Sequence, residues 1–242
     1  MPAADRTESE ALTRRTRIDP PLTARGWTIT PFVEGRPLPA TGAHAVTEFP
    51  TSNGPADYAL MVDGLILGVV EAKKLTLGPA GVLTQAERYS RGVGESPHDF
   101  RGFRVPFLYS TNGEVLYFHD VRDRLNTSRR VKQFHTPAAL QELLDRDLGA
   151  ACAGLAASPN NHPRLRPYQI EANRAVEDAI AQRKRALMLA MATGCGKTFT
   201  LVNQIYRLMK AGVAKRALFL VDRRALAAQA VRAFASFEPE PN

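Results

Sequence analysis

Cysteine is scarce in this chain of 242 residues: Cys152 and Cys195 are the only two. They lie far apart in unlike contexts, so no disulfide framework or cysteine-based zinc spacing can be built from them. A reducing compartment is therefore expected. Long hydrophobic runs are missing as well. No stretch approaches the ~18–20 apolar residues of a membrane span, and the opening MPAADRTESEALTRR has no apolar core of an export signal. The sequence thus reads as cytoplasmic, with no membrane partner. Aromatic residues are few at 7%, but the hydrophobic share of 44% and charged share of 23% are those of ordinary folded material. The length suits one large domain or two small ones. A formal net charge of +8 favours nucleic acid or another anionic surface as partner, although a solvated basic face gives the same number.

Local patterns divide the chain. Residues 8–19 read as a short helix stopped by Pro20-Pro21, 26–34 as a strand, and the Gly-, Pro- and Thr-rich 35–54 as loop. Two apolar runs, 58–62 and 65–70, flank Asp63-Gly64, and 105–120 gives two more strands around Asn112-Gly113; both are hairpin signals. Residues 80–93 read as a helix. Thr136 and Pro137 open another, running to 148, as N-cap and first helical residue. The small residues and Ser-Pro-Asn-Asn-His-Pro of 151–164 read as a linker between a domain at 1–150 and one at 165–242. After the linker, helical stretches alternate with short apolar runs at 186–190 and 217–221, the rhythm of a parallel sheet with helical crossovers.

"MATGCGKT" (191–198) sits between one such apolar run and a helix. Gly194 and Gly196 free the backbone to turn N–H groups toward a phosphate, and the helix N-terminus adds a favourable dipole. Lys197 would reach the β/γ-phosphates of a nucleotide and Thr198 would hold Mg²⁺. Met191 stands where the strict pattern has another glycine, and Cys195 fills the variable position. Upstream, Gln169 in "LRPYQ" can donate to and accept from an adenine edge. Together with "LFLVDRRALAAQ" (218–229), these stretches resemble the first three motifs of a superfamily 2 DNA helicase/translocase. The resemblance implies adenine recognition by Gln169, ATP and Mg²⁺ at Lys197 and Thr198, and DNA near Arg223-Arg224. No acidic motif for the Mg²⁺-bound water follows, so efficient ATP hydrolysis by this chain is not expected.

The first half holds a different chemistry. The apolar run 65–70 ends in Glu71-Ala72-Lys73, and residues i and i+2 of a strand share a face. Asp57 lies on the partner strand. Simple two-residue pairing around Asp63-Gly64 would set it opposite Val70, on the wrong face. A three-residue loop with Gly64 left-handed, or an equivalent bulge, restores the parity and is predicted here. Two carboxylates and an ammonium on one face can hold a hard divalent cation, which lowers the pKa of a bound water and neutralises phosphate charge. The competing reading is an ordinary strand-end salt bridge. Gln85 and Tyr89, at i and i+4 on a helix, add an amide and a phenol on one side.

These stretches, with "EALTRRTRIDPPLTARGW" (10–27), "VPFLYSTNG" (105–113) and "FHTPAAL" (134–140), resemble the PD-(D/E)xK nucleases and, more narrowly, the restriction subunit of type I restriction enzymes. The resemblance spans nearly the whole chain. It implies an α/β protein: a nuclease-like mixed sheet flanked by helices, then the first part of a RecA-like parallel α/β domain. It implies catalytic roles for Asp57, Glu71 and Lys73, assistance from Gln85 and Tyr89, and a supporting acid at Glu10. The expected metal ligands are Asp57 and Glu71, with Thr198 at the nucleotide. The expected partners are double-stranded DNA and separate methylation and specificity subunits. A helicase-nuclease of another defence or repair system, or a nuclease-fold binding module without catalysis, are the alternatives.

Overall fold

The computed structural model describes residues 12, 14–73, 83–221 and 224–235, in two units that divide between Arg146 and Asp147. Glu10 and Arg223 lie outside the described residues, as do 80–82 of the expected helix 80–93.

In the first unit a π-helical turn, Arg14–Ile18, runs into α1 (Asp19–Ala24). The helix does not stop at Pro20-Pro21. Both prolines sit in the first turn of α1, where the missing N–H has no helical acceptor to lose. Seven strands then follow in spatial order: β1 (Thr28–Pro31), β2 (Ala43–Phe49), β3 (Ala56–Val62), β4 (Leu65–Ala72), β5 (Phe107–Thr111), β6 (Leu116–Asp120) and β7 (Arg129–Val131). The pairs β1–β2 and β4–β5 are parallel and the others antiparallel, so the sheet is mixed. β2 corrects the reading of 35–54 as loop. Its alanines and polar residues carry little strand preference of their own, and pairing with β3 on one side and β1 on the other makes it a strand.

Helix α2 (Leu83–Gly92) makes the crossover from β4 to β5, and α3 (Pro137–Asp145) closes the unit. Thr136 caps α3 as expected, its hydroxyl accepting from the Ala139 N–H. Two hydrophobic clusters sandwich the sheet. One gathers Ile18, Leu22, Trp27, Tyr58, Tyr109, Phe118 and Leu140; the other gathers Val46, Met61, Val69, Ala86, Tyr89 and Leu108. A sheet carrying apolar side chains on both faces needs a cover on each, and α1 with α3 supply one while α2 supplies the other.

The second unit contains α4 (Leu148–Ala157), α5 (Pro167–Ala181), α6 (Lys197–Lys210) and α7 (Arg224–Ala235). Residues 148–157 are therefore a helix rather than the start of a tether. Arg207 of α6 anchors the stretch after it, donating to the Leu155, Ser158 and Pro159 carbonyls while its guanidinium forks onto Glu177 of α5 at 2.8 and 3.0 Å. The expected strands at 186–190 and 217–221 do not form; among the described residues the second unit has none. Met188, Leu218 and Leu220 are 91%, 84% and 82% exposed. A parallel strand needs paired edges and cover on both faces, and two short apolar runs without further strands provide neither. Among the described residues no helix is long and apolar enough to cross a membrane.

Candidate functional site

The register of β3 against β4 decides where the acids stand. Val62 pairs with Leu65 across a two-residue turn, Asp63-Gly64, in which both residues have positive φ (47° and 81°). This is the tight hairpin turn that Asp-Gly favours. Met61 then pairs with Ile66 but Leu60 with Gly68, leaving Leu67 as an extra residue. The expected parity correction is thus a bulge and not a longer loop. With Tyr58 opposite Val70, one further step sets Asp57 opposite Glu71 on the same face.

The side chains meet. The Asp57 carboxylate accepts from the Ala72 N–H at 2.7 Å and from Arg14 at 2.9 Å. Glu71 forms an ion pair with Lys73 through Oε1. The Lys73 ammonium also donates to Gln85 Oε1 at 2.6 Å, and the Gln85 amide donates to the Tyr89 hydroxyl at 2.7 Å. All the described acidic, basic and helix residues singled out in this half therefore form one connected group.

Glu71 is 2% exposed, and its Oε2 is buried without a hydrogen-bond partner. Burial pushes its carboxyl up to about 7, against the ion pair with Lys73, and the neighbouring Asp57 charge adds to the rise. Burial also raises Asp57, opposed by the Ala72 hydrogen bond and by Arg14. An orphaned, buried carboxylate oxygen facing a second carboxylate is the donor set a divalent cation would complete. Among the described residues no three Asp, Glu, His or Cys side chains converge as a ready cage, and Arg14 and Lys73 engage the acids instead.

Two residues of this group were not legible beforehand. Thr47 pairs with Tyr58 and Phe49 with Ala56, so Glu48 of β2 stands at the position facing Asp57. Its φ of 53° is left-handed, which costs a non-glycine residue about 1–2 kcal/mol. Arg14 pairs with both Glu48 and Asp57 through Nη1. Burial works against the Arg14 charge, but the Glu48 hydrogen bond and the Asp57 charge outweigh it and raise its pKa. The only prior signal was an acid closing a short run before Pro50, within a segment otherwise read as loop.

In the second unit the phosphate loop has the expected backbone. Gly194 and Gly196 are left-handed at φ 77° and 80°, and α6 opens at Lys197 directly after them. Lys197 is exposed and donates to the Met191 carbonyl at 3.1 Å; Thr198 is half-buried. The Cys195 thiol turns inward to the Ala192 carbonyl. The Gln169 amide, assigned by resemblance to adenine, is engaged with backbone: it accepts from Arg166 N–H at 2.9 Å and donates to the Cys195 and Gly196 carbonyls at 3.0 and 3.4 Å. Beside the loop, Tyr168, Leu189, Met191 and Cys195 line a cavity of about 470 Å³.

Comparison with known proteins agrees with this division. Residues 34–144 match the family described as type I restriction enzyme EcoKI endonuclease subunit, second domain, and 162–242 match the family described as type III restriction enzyme, res subunit. The chain is 33% identical to the type I restriction enzyme EcoKI endonuclease subunit of Escherichia coli K12 over 90% of its own length, and 29% identical to the EcoAI endonuclease subunit of Escherichia coli over 69%. It spans 23% and 20% of those relatives. No solved structure matches it significantly.

Proposed function

This chain is a homologue of type I restriction endonuclease subunits, and from that premise we propose that it is the front of an ATP-dependent restriction motor subunit. Its first unit hydrolyses DNA phosphodiesters without sequence preference, using Mg²⁺. Its second unit binds ATP and begins the DNA translocase. Separate methylation and specificity subunits select the target, and the complex works in the cytoplasm.

One observation carries the nuclease reading: a bulge at Leu67 sets Asp57 opposite Glu71, whose buried Oε2 has no partner. A divalent cation held by Asp57 and Glu71 would supply an activated water and neutralise phosphate charge. The chain's own contribution is positional. Lys73 balances Glu71 and presents an ammonium for the charge that builds on the phosphate. Gln85, fixed by Tyr89, holds that ammonium in place. In the second unit the Gly194–Gly196 backbone and the start of α6 would cradle phosphates, with Lys197 exchanging the Met191 carbonyl for phosphate oxygen and Thr198 reaching the Mg²⁺. Gln169 braces the loop from behind. The basic charge suits phosphate-backbone binding, which should weaken steeply with salt.

The test is calorimetric titration of Mn²⁺ into the 242-residue chain, with and without a short duplex, beside Asp57→Ala and Glu71→Ala. Binding in wild type that disappears in both variants, with circular dichroism unchanged, supports the reading. No binding in wild type with duplex present, or equal binding in all three proteins, returns Glu71 and Lys73 to a structural salt bridge.

A further inference from the structure

Across β2, β3 and β4, Glu48, Asp57 and Glu71 occupy facing positions, so three acids form one row over neighbouring strands. Like charges set directly opposite on adjacent strands repel. A fold without use for the row would be expected to substitute one member. Here one guanidinium holds two of them: Arg14 Nη1 is 2.9 Å from Asp57 Oδ1 and also pairs with Glu48 Oε1. The third, Glu71, keeps a buried oxygen with no partner. Glu48 reaches the row in a left-handed conformation that glutamate rarely adopts.

The position of Arg14 matters as much as its charge. It comes from the π-helical turn Arg14–Ile18, held to the sheet by buried Ile18 and by Tyr58, whose hydroxyl donates to Asp19 at 2.7 Å. Only the end of its side chain meets the acids, so the guanidinium can swing away while the helix stays docked. The Glu48 side chain is half exposed, which leaves a route for an ion from solvent.

We propose that Glu48 is a third carboxylate of the metal site and that Arg14 is a resident cation which a divalent metal displaces from Asp57 and Glu48. This rests on the metal-dependent nuclease reading given above. It explains why acids in adjacent positions do not form a ready cage: the space a metal ion would share between Asp57 and Glu48 is bridged by Arg14. The row is thereby kept neutralised until a metal of higher charge replaces the guanidinium.

The experiment is Mn²⁺ titration of the whole chain by calorimetry, comparing wild type, Arg14→Gln, Glu48→Gln and Asp57→Ala, with thermal melting of each protein with and without the metal. Arg14→Gln removes the competitor, so it should bind Mn²⁺ about tenfold more tightly, while Glu48→Gln should bind about tenfold more weakly, within the usual coupling range of neighbouring groups. Arg14→Gln should also melt lower than wild type without metal and gain more from Mn²⁺, so the melts give a second reading. Wild-type binding lost in Asp57→Ala, with Arg14→Gln no tighter or Glu48→Gln no weaker than wild type, overturns this proposal and leaves the nuclease reading standing. Absence of Mn²⁺ binding in wild type with a short duplex present overturns the nuclease reading and the proposal with it.

Discussion

In the first unit the candidate site is assembled from a helical turn, three strands and a helix that are far apart along the chain, whereas in the second the phosphate loop is one continuous stretch, 191–198. The difference shows in what each needs from its surroundings. Asp57, Glu71 and Lys73 meet only because β3 and β4 pair in a bulged register and α2 covers the face. The glycine loop takes its left-handed turns and opens α6 although the adjoining apolar run at 186–190 forms no strand. A motif written in consecutive residues closes through local backbone preference; a motif written across strands exists only once the sheet does.

The largest test of this contrast shifts the parity of β3 against β4 beyond the bulge. Inserting an alanine between Asp57 and Tyr58 keeps Tyr58 opposite Val70 but sets the alanine opposite Glu71 and moves Asp57 to the other face. Mn²⁺ binding should vanish, while binding of a fluorescent ATP analogue by the same protein stays within about twofold of wild type, since the phosphate loop belongs to the other unit and shares no residue with the altered strand.

Next in size is Arg207→Ala. Its guanidinium is 9% exposed and joins Glu177 to the carbonyls at 155, 158 and 159. Leaving the largely buried Glu177 with the Gln204 amide in place of a paired guanidinium should cost about 3 kcal/mol. Urea unfolding should show that loss in the second unit's transition while Mn²⁺ binding in the first is retained.

A smaller effect follows from Glu71. With its carboxyl pushed to about 7, the metal-free native state holds a proton that the unfolded chain releases at lower pH. Stability from this group therefore falls as pH rises through about 7; the raised Asp57 carboxyl acts in the same direction. Wild type should lose melting temperature between about pH 5.5 and about pH 8, and Glu71→Gln should lose less over that window. Equal slopes in the two proteins would contradict it. Smallest of all, Met188→Lys and Leu218→Lys touch side chains that are 91% and 84% exposed. Each should shift stability by no more than about 0.5 kcal/mol, while reducing self-association measured by light scattering.

The spacing of Asp57, Glu71, Lys73, Gln85 and Tyr89 was readable because strand and helix periods dictate which residues share a face. The need for a parity correction before Asp57 could meet Glu71 was readable for the same reason. The Thr136 cap and the left-handed Gly194 and Gly196 follow equally from local chemistry. β2 was not readable: Ala43 to Phe49 has weak strand preference, and its partners lie elsewhere in the chain. Glu48 was lost with it. Arg14 was one basic residue among many until the fold set its guanidinium between two acids.

The apolar runs at 186–190 and 217–221 failed in the opposite sense. Their composition is that of buried strands, but burial and edge pairing are properties of neighbours, and the described residues supply none. The local turns and caps and the shared face of Glu71 and Lys73 follow from the order of amino acids alone, because backbone sterics and side-chain periodicity act within a few residues. The choice of bulge over loop, the row from Glu48 to Glu71, and the pairing of that row with Arg14 and Lys73 were decided only in the tertiary structure. Charges attract or repel according to distance in space, and strand pairing sets that distance.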